Sequence, residues 1–378
     1  MNSSIDPIFN SYKVKFNIMN ELFESNNIKF STNKKVNVFI NLDSLIRTLT
    51  SENILCCLVN SNNENYLFQT RNFISNIFNL AAHYRRYFSA RHIYSDIYLY
   101  MTFPFKKDEM DSDVYISEYR KDYSYLLNKP SAGVLAQTII DSITMAQIID
   151  DYIEGVYLIT TNKMETSLIP GIINDKLSDI ESDNLLITKD KYEYQYSNMG
   201  YTILRPKLGD ESYIITQENL METLKKEFKV KNDKNISPSF YSFILCLLGD
   251  KFRNIPKMNK CGVSTLFNII SKSIDKNIIN KSNNSIQVLS RLFKGENQMR
   301  CFNNFMVTDI KMQLKLLSMI DPIRIKNQLI DKFDNNSLLR LDVLFQDTPI
   351  NIEDLTEALK FKYSTFKNNN IGFEWRWY

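Results

Sequence analysis

The sequence predicts an α/β fold: a mostly parallel central sheet flanked by helices, followed by a helical C-terminal region. Three observations carry this. Short apolar runs typical of buried parallel strands recur at VNVFINL (residues 36–42), IYSDIYLYMTF (93–103) and GVYLIT (155–160). Stretches of helical period separate them. Beyond residue 237 the apolar spacing is helical almost to the end.

The elements follow in order. In residues 1–35, Tyr12, Phe16, Met19 and Phe23 are spaced like one helix face, which predicts a helical extension. Strand 36–42 leads into a helix over 43–59, an Asn-rich loop and a helix over 71–91. Strand 93–103 precedes a charged stretch (104–130), a helix over 133–152 and strand 155–160. Further strands are predicted over 184–197 and 200–206, and Thr216 is placed to cap the helix QENLMETLKKEF. The pattern changes near residue 236, giving three units: 1–35, 36–236 (the α/β domain) and 237–378 (helical). The last eight residues, IGFEWRWY, alternate like a strand. That strand either closes on the chain's own core or docks on a partner's sheet edge through Phe373, Trp375 and Trp377.

Composition removes whole classes of chemistry. The 378 residues are 44% hydrophobic, enough for substantial cores, and 46 Lys+Arg against 43 Asp+Glu leave a formal charge of only +3. Only 9 glycines argue against a phosphate-cradling glycine loop, and only 2 histidines against His-based zinc or Ser/His/Asp sites. The longest apolar run, FYSFILCLL, is under half of a ~20-residue membrane span. No secretory signal is visible at the N-terminus, and the scattered cysteines (Cys56, Cys57, Cys246, Cys261, Cys301) lack a CxxC pair. We therefore expect reduced, mostly buried thiols in a cytoplasmic protein with no membrane and no small-molecule substrate. Abundant Asn, Ile and Lys point to an AT-rich genome such as a phage or other virus, with the host cytoplasm or the virion as location.

In open parallel sheets, ligands bind beyond the carboxyl ends of the strands. Three such ends are legible: Asp43, Pro104 and Thr161-Asn162. Only Asp43 is a carboxylate, and metal ligation and helix capping suit it equally. The segment LLGDKFRNIPKMNKCGVSTLFNII (247–270) is more specific. It resembles the flap endonuclease / 5′–3′ exonuclease family, whose members carry a GDxxDNIPG turn and a helix-hairpin-helix of the GIGPKTA type. Gly249, Asp250, Asn254, Ile255 and Pro256 match the turn, and Gly262 and Thr265 match the hairpin. Upstream, VNVFINLD is similar to the family's first strand with its metal-binding Asp, here Asp43. Tyr119-Arg120-Lys121 is similar to its basic YK motif, and VYLITTNKMETSLI stands where the family has TGDKDLLQL. The resemblance covers roughly residues 36–275.

It implies a PIN-like nuclease fold and, for an active enzyme, two Mg²⁺ held by a carboxylate cluster. This sequence keeps Asp43 and Asp250 as metal candidates. Pro104 stands for the second-strand Asp, Gln137-Thr138-Ile139-Ile140 for the acidic EADD motif, and Asn162 and Met164 for the GDKD pair. Arg253 replaces the second Asp of the turn, and at ~4 Å it repels each unit of metal charge by ~4 kcal/mol at an effective dielectric of about 20. Asp96, Asp141, Asp150, Asp151 and Glu165 are the acids available to compensate. Four or more carboxylates around Asp43 would favour an enzyme, and a lining of Asn162, Met164 and Arg253 would not.

Residues 225–281 hold twelve Lys/Arg against four Asp/Glu, about +8 locally. With the YK motif they supply the candidate nucleic-acid contacts Arg120, Lys121, Lys251, Arg253, Lys257, Lys260 and Lys272, suited to phosphates rather than bases. The alternative is a solvated lysine-rich face, and Lys260 replaces the hairpin's first Gly. In HYRRYFSARH (83–92), aromatics packed inward with arginines outward compete with a strand-binding surface, and His83 and His92 read as structural. The leading expectation is a catalytically degraded nuclease relative that binds DNA backbones or serves an assembly with protein partners and no cofactor. The alternatives are an active Mg²⁺-dependent 5′-nuclease and a structural virion protein that binds no nucleic acid.

Overall fold

The computed structural model describes residues 9–44, 63–102, 155–161, 165–174, 182–207, 211–230, 236–250, 253–259, 262–280 and 286–317. Lys35–Asn41 (β1), Ser95–Thr102 (β2), Val156–Thr161 (β3), Ser182–Ile187 (β4), Thr202–Arg205 (β5) and Tyr213–Ile215 (β6) form one sheet. Its order is β3-β2-β1-β4-β5-β6, with every pairing parallel except β5–β6. The carboxyl ends of β1 to β5 therefore share one edge, and β1 lies between β2 and β4.

β1 is buried on both faces, which explains why Val36, Val38, Phe39 and Ile40 are not confined to alternate positions, with Asn37 and Asn41 as its buried polar residues. Val36, Val38 and Ile40 face Phe16–Ser25 (α1) and Asn63–Ser89 (α2), and join Tyr12, Met19, Phe23, Tyr84 and Phe88 in one core. Phe39 points the other way, stacked on Tyr98 at 5.0 Å. On that face lie Ile169–Ile172 (α3), Leu220–Glu227 (α4), Tyr241–Leu248 (α5), Val263–Asp275 (α6), Ile286–Ser290 (α7), Glu296–Thr308 (α8) and Ile310–Leu317 (α9). The apolar cluster there joins residues from both sides of position 236, Phe39 and Ile203 with Leu245, Leu266 and Cys301 among them. Each fully buried large side chain contributes about 1.5–3 kcal/mol. Among the described residues no helix is long and apolar enough to cross a membrane.

Several expectations are corrected. Strand 184–197 ends at Ile187, and Glu193–Met199 is a 3₁₀ helix. Thr188 and Asp190 fold the chain back, the Thr188 hydroxyl accepting from Asp190 N (2.9 Å) and the Asp190 carboxylate from Tyr192 N (2.9 Å). The alternating tyrosines then all bury, which a strand with one wet face does not allow. The helix assigned to a Thr216 cap starts at Leu220, because the Asn219 side chain bonds Thr216 N and Ile214 O and holds the approach extended. Of the arginines in residues 83–92, Arg85 is buried close to Asp96, whereas Arg91 lies over Tyr87. His83 bonds Val14 O (2.8 Å), and burial holds its pKa down to about 4, so it is a neutral structural residue. Cys246 and Cys301 are free and buried. The C-terminal strand with Phe373, Trp375 and Trp377, the helices over 133–152 and most of 43–59, Pro104, Arg120, Lys121, Asn162, Met164, Lys251, Lys260, Cys56, Cys57 and Cys261 lie outside the described residues.

Candidate functional site

Three strand ends and one turn send carboxylates to the carboxyl edge of the sheet. Asp43 follows β1, Glu165 follows β3 and Asp190 follows β4, and all three are buried. Asp43 accepts a hydrogen bond from the Thr166 hydroxyl (2.7 Å), the residue next to Glu165. Beneath them Glu193 is fully buried, accepting from Asn41 Nδ2 and Tyr100 OH, each at 2.7 Å. Burial, then the negative charge of Asp190, push the Glu193 pKa up to about 7.

The turn after α5 supplies Asp250 and Arg253, and local chemistry dictates its shape. Gly249 has φ +66°, and a Cβ there would stand 2.6 Å from both Ile255 O and Lys257 N. Only glycine permits that approach. Asp250 and Ile255 exchange both backbone hydrogen bonds (2.9 and 2.8 Å), and Asn254 closes the turn at φ +52°. Asn304 of α8, fully buried, donates to Cys246 O (2.8 Å) and Pro256 O (2.7 Å), gripping the turn on both flanks. With Gly249 N on Leu245 O and Met258 N on Leu247 O, three carbonyls at the end of α5 find donors.

Arg253 is the centre of this arrangement. Only 2% exposed, it places Nη2 at 2.6 Å from Asp190 Oδ2 and 4.0 Å from Glu165 Oε2. Its guanidinium lies 4.0 Å from the Tyr192 ring centroid, and its backbone N–H donates to Asp250 Oδ1 (3.3 Å). Lys191 Nζ stands 3.7 Å from Asp250 Oδ2.

These residues do not fit a two-metal centre. Both oxygens of Asp190 are already taken, by Tyr192 N and by Arg253, and Asp250 faces Lys191 as well as the turn. Among the described residues, no three His, Cys, Asp or Glu side chains are placed to share one metal ion. A divalent cation would have to enter beside a buried guanidinium, against a repulsion of ~4 kcal/mol per unit charge at ~4 Å and an effective dielectric of about 20.

Both candidate metal ligands, Asp43 and Asp250, stand at this edge. Arg253, expected among the nucleic-acid contacts, is instead turned inward, so its guanidinium does not face solvent phosphates; that expectation is corrected. Lys257 and Lys272 are exposed; Lys257 precedes α6, which starts after Gly262 with no side-chain cap, and Lys272 is in its last turn. Asp96 is not at this edge: it opens β2 and pairs with Lys35 at 2.9 Å.

Asp190 and Glu193 went unrecognised in the sequence. The signal was Thr188-Lys189-Asp190-Lys191 after an apolar run, a closer match to TGDK than the stretch following β3. β4, not β3, is the strand beside β1, and Asp190 stands just past its carboxyl end, two residues before Tyr192. Glu165 stands after β3, immediately before the short helical stretch that begins at Thr166. A separate cleft of about 860 Å³, lined by Arg205, Lys207, Tyr213, Lys226 and Phe228 among others, contains none of these acids.

No family model and no curated protein matches the chain. Solved structures do. The chain is similar to the T5 D15 protein co-crystallised with metal ions (TM-score 0.48, 13% identity, 80% of this chain and 98% of that one). It is also similar to a bacteriophage T5 D15 flap endonuclease pseudo-enzyme–product complex with DNA and metal ions (0.47, 14%, 85% and 99%). A third similar structure is the catalytic core of Rad2 in complex with DNA substrate (0.35, 12%, 86% and 92%).

Proposed function

We propose that this chain is a nucleic-acid-binding protein on a 5′-nuclease-like scaffold whose catalytic centre has become an internal ion pair. It holds phosphodiester backbones without cutting them, as a component of an assembly with protein partners and, given its Asn-, Ile- and Lys-rich sequence, of a phage or virus. The observation that carries this reading is the buried Arg253 guanidinium, 2.6 Å from Asp190 within the strand-end carboxylates. Metal-dependent hydrolysis of a phosphodiester needs cations that neutralise the phosphate and activate water there. A side chain bonded to the would-be ligands supplies neither a water nor an open position.

Binding belongs to the exposed cations. Lys257, which precedes a helix N-terminus whose amides suit a phosphate oxygen, and Lys272, in the last turn of that helix, are proposed contacts, as are Lys251, Lys260, Arg120 and Lys121 from the sequence. The second reading, an active Mg²⁺-dependent 5′-nuclease, draws on the four acids Asp43, Glu165, Asp190 and Asp250 at one edge. A cleavage assay with Mg²⁺ on flap and 5′-ended duplex DNA separates the two. We expect binding without cleavage; cleavage abolished by Asp43→Ala and Asp250→Ala establishes the enzyme instead.

A further inference from the structure

We propose that the cleft at the β6 edge of the sheet is a nucleotide site, taking an aromatic base that carries a phosphate. The cleft, of about 860 Å³, is lined by residues of α1, β6 and α4 and holds none of the strand-end acids. It is therefore a second site, independent of the proposed function. Its volume falls within the ~300–1,000 Å³ usual for small-ligand sites. Three cations line it, Arg205, Lys207 and Lys226, against the carboxylates of Glu222 and Glu227. Glu222 is engaged at 2.7 Å by Lys225, which does not line the cleft. Lys226 is exposed and meets no acid among the described residues. Lys207 pairs with the exposed Glu211 at 3.3 Å, a contact that water weakens.

Arg205 is the positioned group. Its Nη1 donates to Tyr213 OH and pairs with Glu227 Oε1 at 2.6 Å, while Tyr213 OH donates to the same oxygen at 3.1 Å. The guanidinium is thus held in place through one nitrogen. Nε is buried without a hydrogen-bond partner, and Nη2 has none among the described residues. A buried N–H without a partner is costly, so an acceptor arriving at this guanidinium is favoured. A planar guanidinium fork matches a phosphate, and the two lysines add point charges. Tyr213 and Phe228 supply half-buried rings for a base to stack on. The Arg205 guanidinium and Lys207 Nζ stand 5.5 and 5.8 Å from the Tyr213 ring centroid, so charge and ring share one wall. A free mononucleotide and a nucleotide of a DNA strand both present this pairing of ring and phosphate.

The test uses the full chain and calorimetric titration with adenosine 5′-monophosphate, adenosine, inorganic phosphate and a 5′-phosphorylated oligothymidylate. The monophosphate is expected to bind with a Kd below about 1 mM, and adenosine or phosphate alone at least about tenfold more weakly. Lys207→Glu and Lys226→Glu, both at exposed positions, should each weaken the monophosphate about tenfold. Lys226→Arg should retain it, and thermal melts of all three variants should match wild type. An oligothymidylate that displaces the monophosphate, and is itself weakened by Lys226→Glu, shows that the cleft takes a nucleotide of a strand. Monophosphate binding that the oligothymidylate leaves untouched shows a site for the free nucleotide. No heat from either probe at ~5 mM overturns the proposal, as does binding that both Glu variants leave unchanged. Oligothymidylate binding that is lost in Lys257→Ala and Lys272→Ala but indifferent to Lys226→Glu supports the proposed function and counts against the cleft.

Discussion

Glu193 shows how one residue sets a measurable property of the whole site. It is fully buried, bonded to Asn41 and Tyr100, and repelled by Asp190, so its pKa rises from 4.5 to about 7. The neutral form is therefore favoured in the folded state. Its stabilising contribution is complete below pH 4.5, shrinks as the pH climbs, and is lost above about 7. Chemical denaturation at pH 5 and pH 8 should show wild type losing stability relative to Glu193→Gln, whose amide keeps the size without the charge. A pH-independent difference between the two proteins contradicts the assignment. Asp190 behaves oppositely in kind: its charge is matched by Arg253, and Asp190→Asn leaves a buried guanidinium short of its partner, at a cost of about 3–5 kcal/mol.

At the scale of elements, the turn from Gly249 to Lys257 decides which side chain fills the site. Gly249→Ala places a methyl group 2.6 Å from two backbone atoms at a φ of +66°, and should cost at least about 1–3 kcal/mol. Asn304→Ala strips donors from two carbonyls flanking the turn and should cost about 1–3 kcal/mol, while Asn304→Asp should cost more because it sets a carboxylate against those oxygens. Thermal melts of the three variants check the order. A milder effect for Asp than for Ala rules out the hydrogen-bonding role of Asn304. The turn was legible in the sequence through the resemblance of Gly249, Asp250, Asn254, Ile255 and Pro256 to a GDxxDNIPG turn. Where its arginine pointed was not legible, since that depends on a loop some sixty positions earlier in the chain.

At the scale of the whole molecule, the near-neutral total charge conceals how cations are distributed. Of the basic residues in 225–281, Arg253 and Lys225 are buried, Lys225 bonded to Glu222 at 2.7 Å, so the outward charge is smaller than the count suggests. The exposed Lys257 and Lys272 remain, Lys272 in the last turn of α6. If they contact phosphates, replacing either by Ala should weaken binding to unrelated DNA sequences alike and lower the slope of log K against log salt by about 1. Unchanged salt slopes in both variants place the binding surface elsewhere or remove it.

The sequence by itself determined the fold class, the central strand ending in Asp43, and the Asp250 turn. The strand rests on local signals, an apolar run and a carboxylate at its end, and the turn on its resemblance to a GDxxDNIPG pattern. Strand order was not local. Nothing in residues 156–187 says which strand lies beside β1, and the tertiary structure chose β4, which brings Asp190 to the edge beside β1 and leaves Tyr192 to cover Arg253. The fate of Arg253 was likewise a tertiary matter. A basic residue in a basic segment reads as surface, and only its 2.6 Å contact with Asp190 shows that burial beside carboxylates was the lower-energy place for it.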